Sequence, residues 1–342
     1  MKKYLLLLIS SFLLMMNASA KIWRVNNTGV PADFTTAQAA HDGAAAGDTL
    51  HFEASGASYG AISIAKKLII IGNGFLLGTL ATNANPDLQA NPASSGIGAL
   101  EIKFGGDGTV VEGMTVTGLI TFIGGVSNVS IRRNRVAYIQ FGLCNNIQLI
   151  QNYMDVGGPF ASISSDANPS TNLQINNNVI ANAVGFGVED NGDFMNNIYS
   201  VFAGGTLTLN NFRVWNNISI QGAAVLNSCD SRSNIGNSTQ FGTANGNQQN
   251  VTMTTVFEDV ANTNPGFSED SRWQLKAGSP AIGAAWNGVT TAGDCGVFGS
   301  SATNTAYVLS GIANVPSIYK LAAPATTTSN TLTITISTKT NN

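Results

Sequence analysis

The amino-acid sequence predicts an all-β fold: one right-handed parallel β-helix, with three short strands and about 20 residues per coil. Three observations predict it. A strand pattern closing on asparagine recurs along the middle of the chain, charged residues make up only 10% of the 342 residues, and glycine, asparagine, threonine and serine take their place. Soluble domains usually carry roughly 25% charge. Asn and Gly tolerate the left-handed backbone angles of tight turns, so this composition suits short strands joined by sharp corners.

The chain opens with Lys2 and Lys3, an apolar run from Tyr4 to Met16, and the small residues Ala18-Ser19-Ala20. This is the layout of a cleaved secretory signal over residues 1–20, which places the mature protein outside the cytoplasm or at the cell surface, beginning near Lys21. The apolar run is shorter than the roughly 20 residues of a membrane span, and no later segment is apolar enough to be one. Without Lys2 and Lys3 the formal charge moves from −3 to −5, which excludes nucleic acid as a partner class. Cys144, Cys229 and Cys295 are odd in number, so at most one internal pair can form. With only two histidines and no metal-ligand spacing, zinc is not indicated.

The repeat is Val129-Ser-Ile131-Arg-Arg-Asn134, Ile147-Gln-Leu149-Ile-Gln-Asn152, Leu173-Gln-Ile175-Asn-Asn-Asn178 and Phe212-Arg-Val214-Trp-Asn-Asn217, with a weaker copy in Gly192-Asp-Phe194-Met-Asn-Asn197. The steps between these asparagines are 18, 26, 19 and 20 residues, as a chain circling a three-sided prism with variable turns requires. The asparagine is expected to take the left-handed corner. Its amide, both donor and acceptor, is expected to hydrogen-bond to its copies along the axis. Asn134, Asn152, Asn178, Asn197 and Asn217 then form a ladder that Asn234 continues, with Gly113 and Asn73 at the same corner one and three coils earlier. A sandwich of hairpins would need Asn-Gly or Asp-Gly turns between strands, and few fall where hairpins require them.

Both ends of such a helix expose unpaired edges and need covers. Residues 33–48 read as an Ala-rich capping helix from about Thr35 to Gly43–Gly47. The strands Thr49-Leu-His-Phe52 and Ile62-Ser-Ile64 follow, and then the turn Lys67-Leu-Ile-Ile-Ile-Gly72. This entry segment resembles that of the pectate-lyase-like superfamily of right-handed β-helix proteins. Gly278-Ser-Pro-Ala-Ile-Gly283 and Asp294-Cys-Gly-Val-Phe-Gly299 look like terminal-coil elements of the same group, so the resemblance spans about Lys21 to Phe298, within a β-helix domain expected over 21–300. Residues 301–342 are expected to fold back over the last coil or its flank, with a half-buried strand in Thr331-Leu-Thr-Ile-Thr-Ile-Ser337. This end is similar to those of exported β-helix proteins of Bacteroidetes-type bacteria, where a rival role is a sorting tail.

In the resembling family, the strands preceding the asparagine strands form a polysaccharide groove. Here these are expected at 119–122, 138–141, 161–164, 184–188, 200–203 and 223–226. Past them stand Asp166, Glu189, Asp190 and Asp230, a candidate Ca²⁺ site. The resemblance implies a uronate lyase in which Asp190 and Arg232 are the candidate catalytic residues, since β-elimination needs a base at the sugar C5 proton. A hydrolase of the same group has an adjacent Asp-Asp pair and a nearby His, which this sequence lacks. Two outward rows beside the ladder, Arg132-Ile150-Asn176-Met195-Trp215 and Arg135-Tyr153-Val179-Ile198-Ile218, are apolar enough to need a cover. Alternatively Trp215 and Tyr153 stack on sugars while Arg132 and Arg135 meet an acidic glycan. Two function classes therefore stand: an exported, non-catalytic β-helix for glycan binding, adhesion or envelope structure, and a polysaccharide-active enzyme, lyase ahead of hydrolase.

Overall fold

The computed structural model describes residues 20–79, 81, 84–155, 162–199, 205–299, 305–324 and 332–341. Its body is a parallel β-helix of about nine turns. Face one holds ten strands that stack in chain order, from Ile22–Val25 and Thr49–Phe52 through Ser130–Arg132 and Leu173–Asn176 to Asp230–Arg232. Face two runs from Ser95–Ile97 to Ile235–Gly236, and face three from Ile62–Ile64 to Ala223–Asn227. Met114–Ile123 and Arg135–Phe141 bend round the corner between these two faces, with an irregular register between Val136 and Tyr138. Alternation along each strand sends every second side chain into the prism. Ile70, Val111, Ile131, Leu149, Ile175, Phe194 and Val214 pair in register and are wholly buried. Each such side chain contributes roughly 1.5–3 kcal/mol relative to exposure in water. Phe122 and Phe141 stack at 5.1 Å beneath face three, and Phe186 continues the column at 5.5 Å.

The ladder is continuous. Oδ1 of Asn152 accepts the backbone N–H of Asn134 at 3.0 Å and its Nδ2 at 3.2 Å, and the same double contact links Asn152 to Asn178, Asn178 to Asn197, Asn197 to Asn217 and Asn217 to Asn234. Each Nδ2 also donates to a carbonyl of the preceding coil, as from Asn178 to Leu149 at 2.8 Å. Asn247 ends the series by accepting from Asn234 and donating to the Phe241 carbonyl. The buried amides from Asn134 to Asn234 are tolerated because each donates and accepts along the row.

The left-handed corner lies one residue earlier than expected. Positive φ falls on Arg133, Gln151, Asn177, Asn196, Asn216 and Ser233, not on the ladder asparagines. The two tasks are divided between neighbours: one residue turns the chain outward, and the next points its amide inward. Gly113 shares the turning position with Arg133, and a Cβ there would lie 2.8 Å from the Gly72 carbonyl oxygen. Asn73 does stand at the ladder position, but two coils before Asn134 instead of three, because loop 74–94 lengthens its coil. Its amide turns to the carbonyls of Asn91 and Ala93. Met114 intervenes and has no amide, so the ladder begins at Asn134.

The N-terminal edge of face three is capped as the sequence suggests. Helix Ala37–Gly43 starts at the N-cap Thr36, whose hydroxyl accepts from Ala39 N. Gln38 accepts the edge N–H of Ser63 at 2.9 Å and His41 accepts that of Ala65 at 3.2 Å.

After Ile235–Gly236 one more partial coil brings Asn247 and Gln248 against Asn234 and Ile235, and the described chain then returns along the outside. Tyr153, Val179, Ile198, Ile218 and Ile235, the outward row of face two, form a second core with Val256, Phe257, Trp273, Cys295, Val297 and Tyr307. The two segments that resemble terminal-coil elements lie in this cover. The turning residues of the corner hold it: Asn216 bonds Trp286, Asn196 bonds Asp294, Asn177 bonds Val297 and Gly299, Gln151 bonds Thr305, and Arg133 bonds Ile312. Beyond it, Ser317–Ala322 pairs antiparallel with Thr335–Lys339. The expected C-terminal strand therefore lies a few residues later and belongs to a hairpin. Leu332, Ile334 and Ile336 are 51%, 52% and 57% exposed.

Candidate functional site

Of the four acidic residues expected to bind Ca²⁺, Asp166, Glu189 and Asp190 line one depression and Asp230 stands apart. Asp166 and Glu189 are exposed in turns between faces three and one, and Asp230 lies within a face-one strand. Asp190 is 1% exposed, and its oxygens accept from Ser165 Oγ, Ser170 N and Gly187 N, each at 2.6 Å. It is the keystone of its own turn. Among the described residues no three His, Cys, Asp or Glu side chains group to hold a metal. Arg232, the expected base, donates to Asp230 at 2.8 Å and lies over the Trp286 ring. It is in register with Trp215 on face one, away from the Asp166 and Glu189 turns, so a base and a carboxylate-binding cation are not set at one sugar.

The expected ligand residues also separate. Tyr153 is wholly buried under the cover, stacked with Phe75 at 6.1 Å, and its hydroxyl is 3.3 Å from the Glu269 carboxylate. Burial, aided by Glu269, pushes its phenol well above the usual range. No sugar reaches it. Arg132 and Arg133 both pair with Glu112, itself 3% exposed, and Arg135 pairs with Asp155. Glu112 also accepts Asn314 N at 3.0 Å, so this basic cluster anchors the returning chain. Arg24, Arg213 and Arg232 are paired as well, and Arg272 is buried against Trp273. Every described arginine therefore has a carboxylate or aromatic partner within the protein.

Trp215 remains at the surface and is held rigidly. Its indole N–H donates to Asp230 at 3.0 Å, and the Arg213 guanidinium lies 5.2 Å from its ring centre. Arg213 in turn makes a two-bonded fork with Asp193, both contacts 2.6 Å. Beside that fork is a depression of about 390 Å³ lined by Asn172, Gln174, Asn191 and Asn211. Two more, of about 340 and 390 Å³, follow along the same turn and share Asp166 and Asn168, with Gln140, Leu143 and Glu189 at their margins. Together they make a shallow strip across successive coils, with amides and glycine-lowered stretches at Gly124, Gly142 and Gly187, and Trp215 adjoins one end of it through Arg213. A larger apolar groove of about 610 Å³ lies between face one and the C-terminal hairpin, lined by Ile22, His51, Ile71, Ile318 and Leu321. Burial holds the His51 imidazole below its usual pKa, so it is neutral there.

Sequence reasoning placed Asp166, Glu189 and Asp190 along this turn but missed the amides beside them, although a signal for these exists. Asn128, Asn146, Asn172, Asn191 and Asn211 stand six residues before the successive ladder asparagines. This second series marks the corner entering face one, where Asn128, Asn146, Asn172 and Asn211 take positive φ. Of the strands expected on face three, the stretch 200–203 and Ala161 lie outside the described residues, and Thr206–Asn210 fills the place between Val184–Gly185 and Ala223–Asn227.

The three cysteines are free thiols. Burial pushes Cys144 up to about 11 and raises Cys229 and Cys295. The thiolate is the reactive form, so a thiol reagent at pH 8 is expected to modify the native protein slowly and at Cys229 alone. All three thiols should react in guanidinium, as mass spectrometry will show; rapid native labelling of Cys144 or Cys295 contradicts the buried placement. In comparisons with protein-family models, curated proteins and solved structures, nothing matches this chain.

Proposed function

We propose that this is an exported, non-catalytic β-helix protein of pectate-lyase-like type that binds neutral polysaccharide along the turn between faces three and one. The observation that carries the reading is the strip itself. Amides repeat at coil spacing along it, and at one end stands Trp215, whose indole edge is fixed by Asp230 and one ring face by Arg213. A sugar chain offers hydroxyls to such amides and C–H faces to such a ring, and a pre-set ring loses little freedom on binding. Charge narrows the ligand: the arginines are neutralised by carboxylates, while Asp166 and Glu189 face solvent in the strip. Uronate polymers would meet repulsion there. Export is supported by the positive, apolar and small-residue order of residues 2–20.

Affinity electrophoresis of the mature protein through xylan, mannan, β-glucan, alginate and polygalacturonate tests this. Retardation by a neutral polymer is expected, weakened roughly tenfold in Trp215→Ala and unchanged by chelator. Binding of none, or a Trp215→Ala variant that binds as wild type, overturns it.

A further inference from the structure

The start of the described chain carries a feature that neither the fold nor the glycan strip uses. Asp48 is 5% exposed, yet its carboxylate receives three donors from the N-terminal cap. Lys21 N donates to Oδ1 at 2.8 Å, while Trp23 Nε1 at 2.7 Å and Ala45 N at 2.8 Å donate to Oδ2. Among the described residues no lysine, arginine or histidine nitrogen forms an ion pair with it. The Lys21 ammonium instead lies 3.1 Å above the Trp23 ring. A carboxylate taken out of water without a cation is costly unless hydrogen bonds or a counter-charge compensate. Here the missing counter-charge is one bond away. Lys21 is preceded by Ala18-Ser19-Ala20, the small-x-small pattern that an export peptidase accepts.

We infer that the Ala20–Lys21 peptide bond is a processing site, and that Asp48 is the acceptor built for the α-ammonium group its hydrolysis creates. Water, delivered by a signal peptidase, adds hydroxyl to the Ala20 carbonyl and a proton to the Lys21 nitrogen, which takes up a second proton from solvent at neutral pH. The atom 2.8 Å from Asp48 Oδ1 changes from an amide N–H to an –NH3⁺ group. A neutral hydrogen bond becomes a charge-assisted one, roughly twice as strong. Both Ala20 and Lys21 are exposed, so the bond is reachable. The first strand begins at Ile22, and the Lys21 carbonyl still accepts Thr49 N at 2.8 Å, so hydrolysis removes no strand pairing. The Lys21 N–H first, then Trp23 and Ala45, hold the Asp48 carboxyl below the usual range, so it is ionised when the ammonium arrives. Export and folding are thereby coupled: the first coil is fully locked only in the processed protein.

The inference rests on the export reading and not on glycan binding. Intact-mass and N-terminal mapping of the secreted protein should give a chain starting at Lys21. An unprocessed, unexported chain overturns the export reading, and a different mature start overturns this inference alone. For the lock, chains starting at Ala20 and at Lys21 are compared, each with Asp48 or with Asp48→Asn, by hydrogen exchange of the Ile22–Val25 amides. Retaining Ala20 should speed exchange roughly fivefold to tenfold when Asp48 is present and leave it unchanged in Asp48→Asn. The Ala20 form keeps every other contact, so a failure of Asp48→Asn to fold leaves that comparison intact. Equal protection in the Ala20 and Lys21 chains overturns the proposal.

Discussion

Replacing Asn178 by alanine is expected to lower the stability of the coils on either side by about 4 kcal/mol or more, an unusually large effect for one polar residue. The side chain is 0% exposed. Its Oδ1 accepts the Asn152 N–H and Nδ2, and its own Nδ2 donates to the Leu149 carbonyl and to Asn197 Oδ1. Alanine takes a hydrogen bond from each of four buried groups, of which Asn197 Oδ1 keeps the backbone N–H of residue 178, and each group left unpaired costs roughly 1–3 kcal/mol. The neighbouring amides are already engaged and, like Asn178, fully buried, so they cannot repair the gap. Guanidinium unfolding with hydrogen exchange of strands Gln148–Ile150 and Leu173–Asn176 measures the loss. Asn247→Ala, at the open end of the ladder, should cost less, about 1–2 kcal/mol, since water can reach the groups it abandons. Equal costs at the two positions would show that the ladder does not act as a continuous chain of bonds.

Asp270→Ala should detach the cover while leaving the coils standing. The carboxylate is 0% exposed and gathers three distant parts of the chain. Asn85 Nδ2 donates to it at 2.8 Å, Ser268 Oγ at 2.7 Å, Ser310 N at 2.7 Å and the Tyr307 hydroxyl at 3.3 Å. Loss of this hub is expected to cost about 3–4 kcal/mol, with the backbone N–H of Ser310 the least replaceable donor. Limited proteolysis between 250 and 310, dye binding to the uncovered Tyr153–Ile235 row, and a red shift of the fully buried Trp273 report it. Asp270→Asn keeps one acceptor and should fall between. A protease-resistant Asp270→Ala protein would mean that the apolar contacts alone secure the cover.

The ladder was legible because its chemistry admits few substitutes: a buried amide that must give and receive along an axis recurs as asparagine at coil spacing. The corner was misplaced by one residue for the same reason. In Asn177-Asn178, Asn196-Asn197 and Asn216-Asn217 both positions carry the same residue, and Arg133, Gln151 and Ser233 show that the turning position is less restricted. The need for a cover could be read from the apolar outward rows, but its source could not. Residues 251–298 have no period, and what they recognise is a surface assembled from five coils. The binding residues failed in the same way. Alternation says that Tyr153 points outward but not what lies above it, and no spacing rule reveals that Arg132, Arg133 and Arg135 already have carboxylate partners. The capping helix was recovered with nearly correct ends because Thr36 and the alanine run are local signals.

The row of turning residues has a consequence for how the molecule carries load. A plain stack of coils held only by contacts between neighbours is a zipper: tension at one end parts the terminal coil, then the next, each at the force of a single interface. Here the returning chain runs lengthwise and is tied to successive coils at Asn216, Asn196, Asn177, Gln151 and Arg133. A pull on either end is shared among these ties before any one coil can peel, so the rod resists as a seamed tube would. If the protein is exported and holds a polymer as proposed, that seam would protect it under flow.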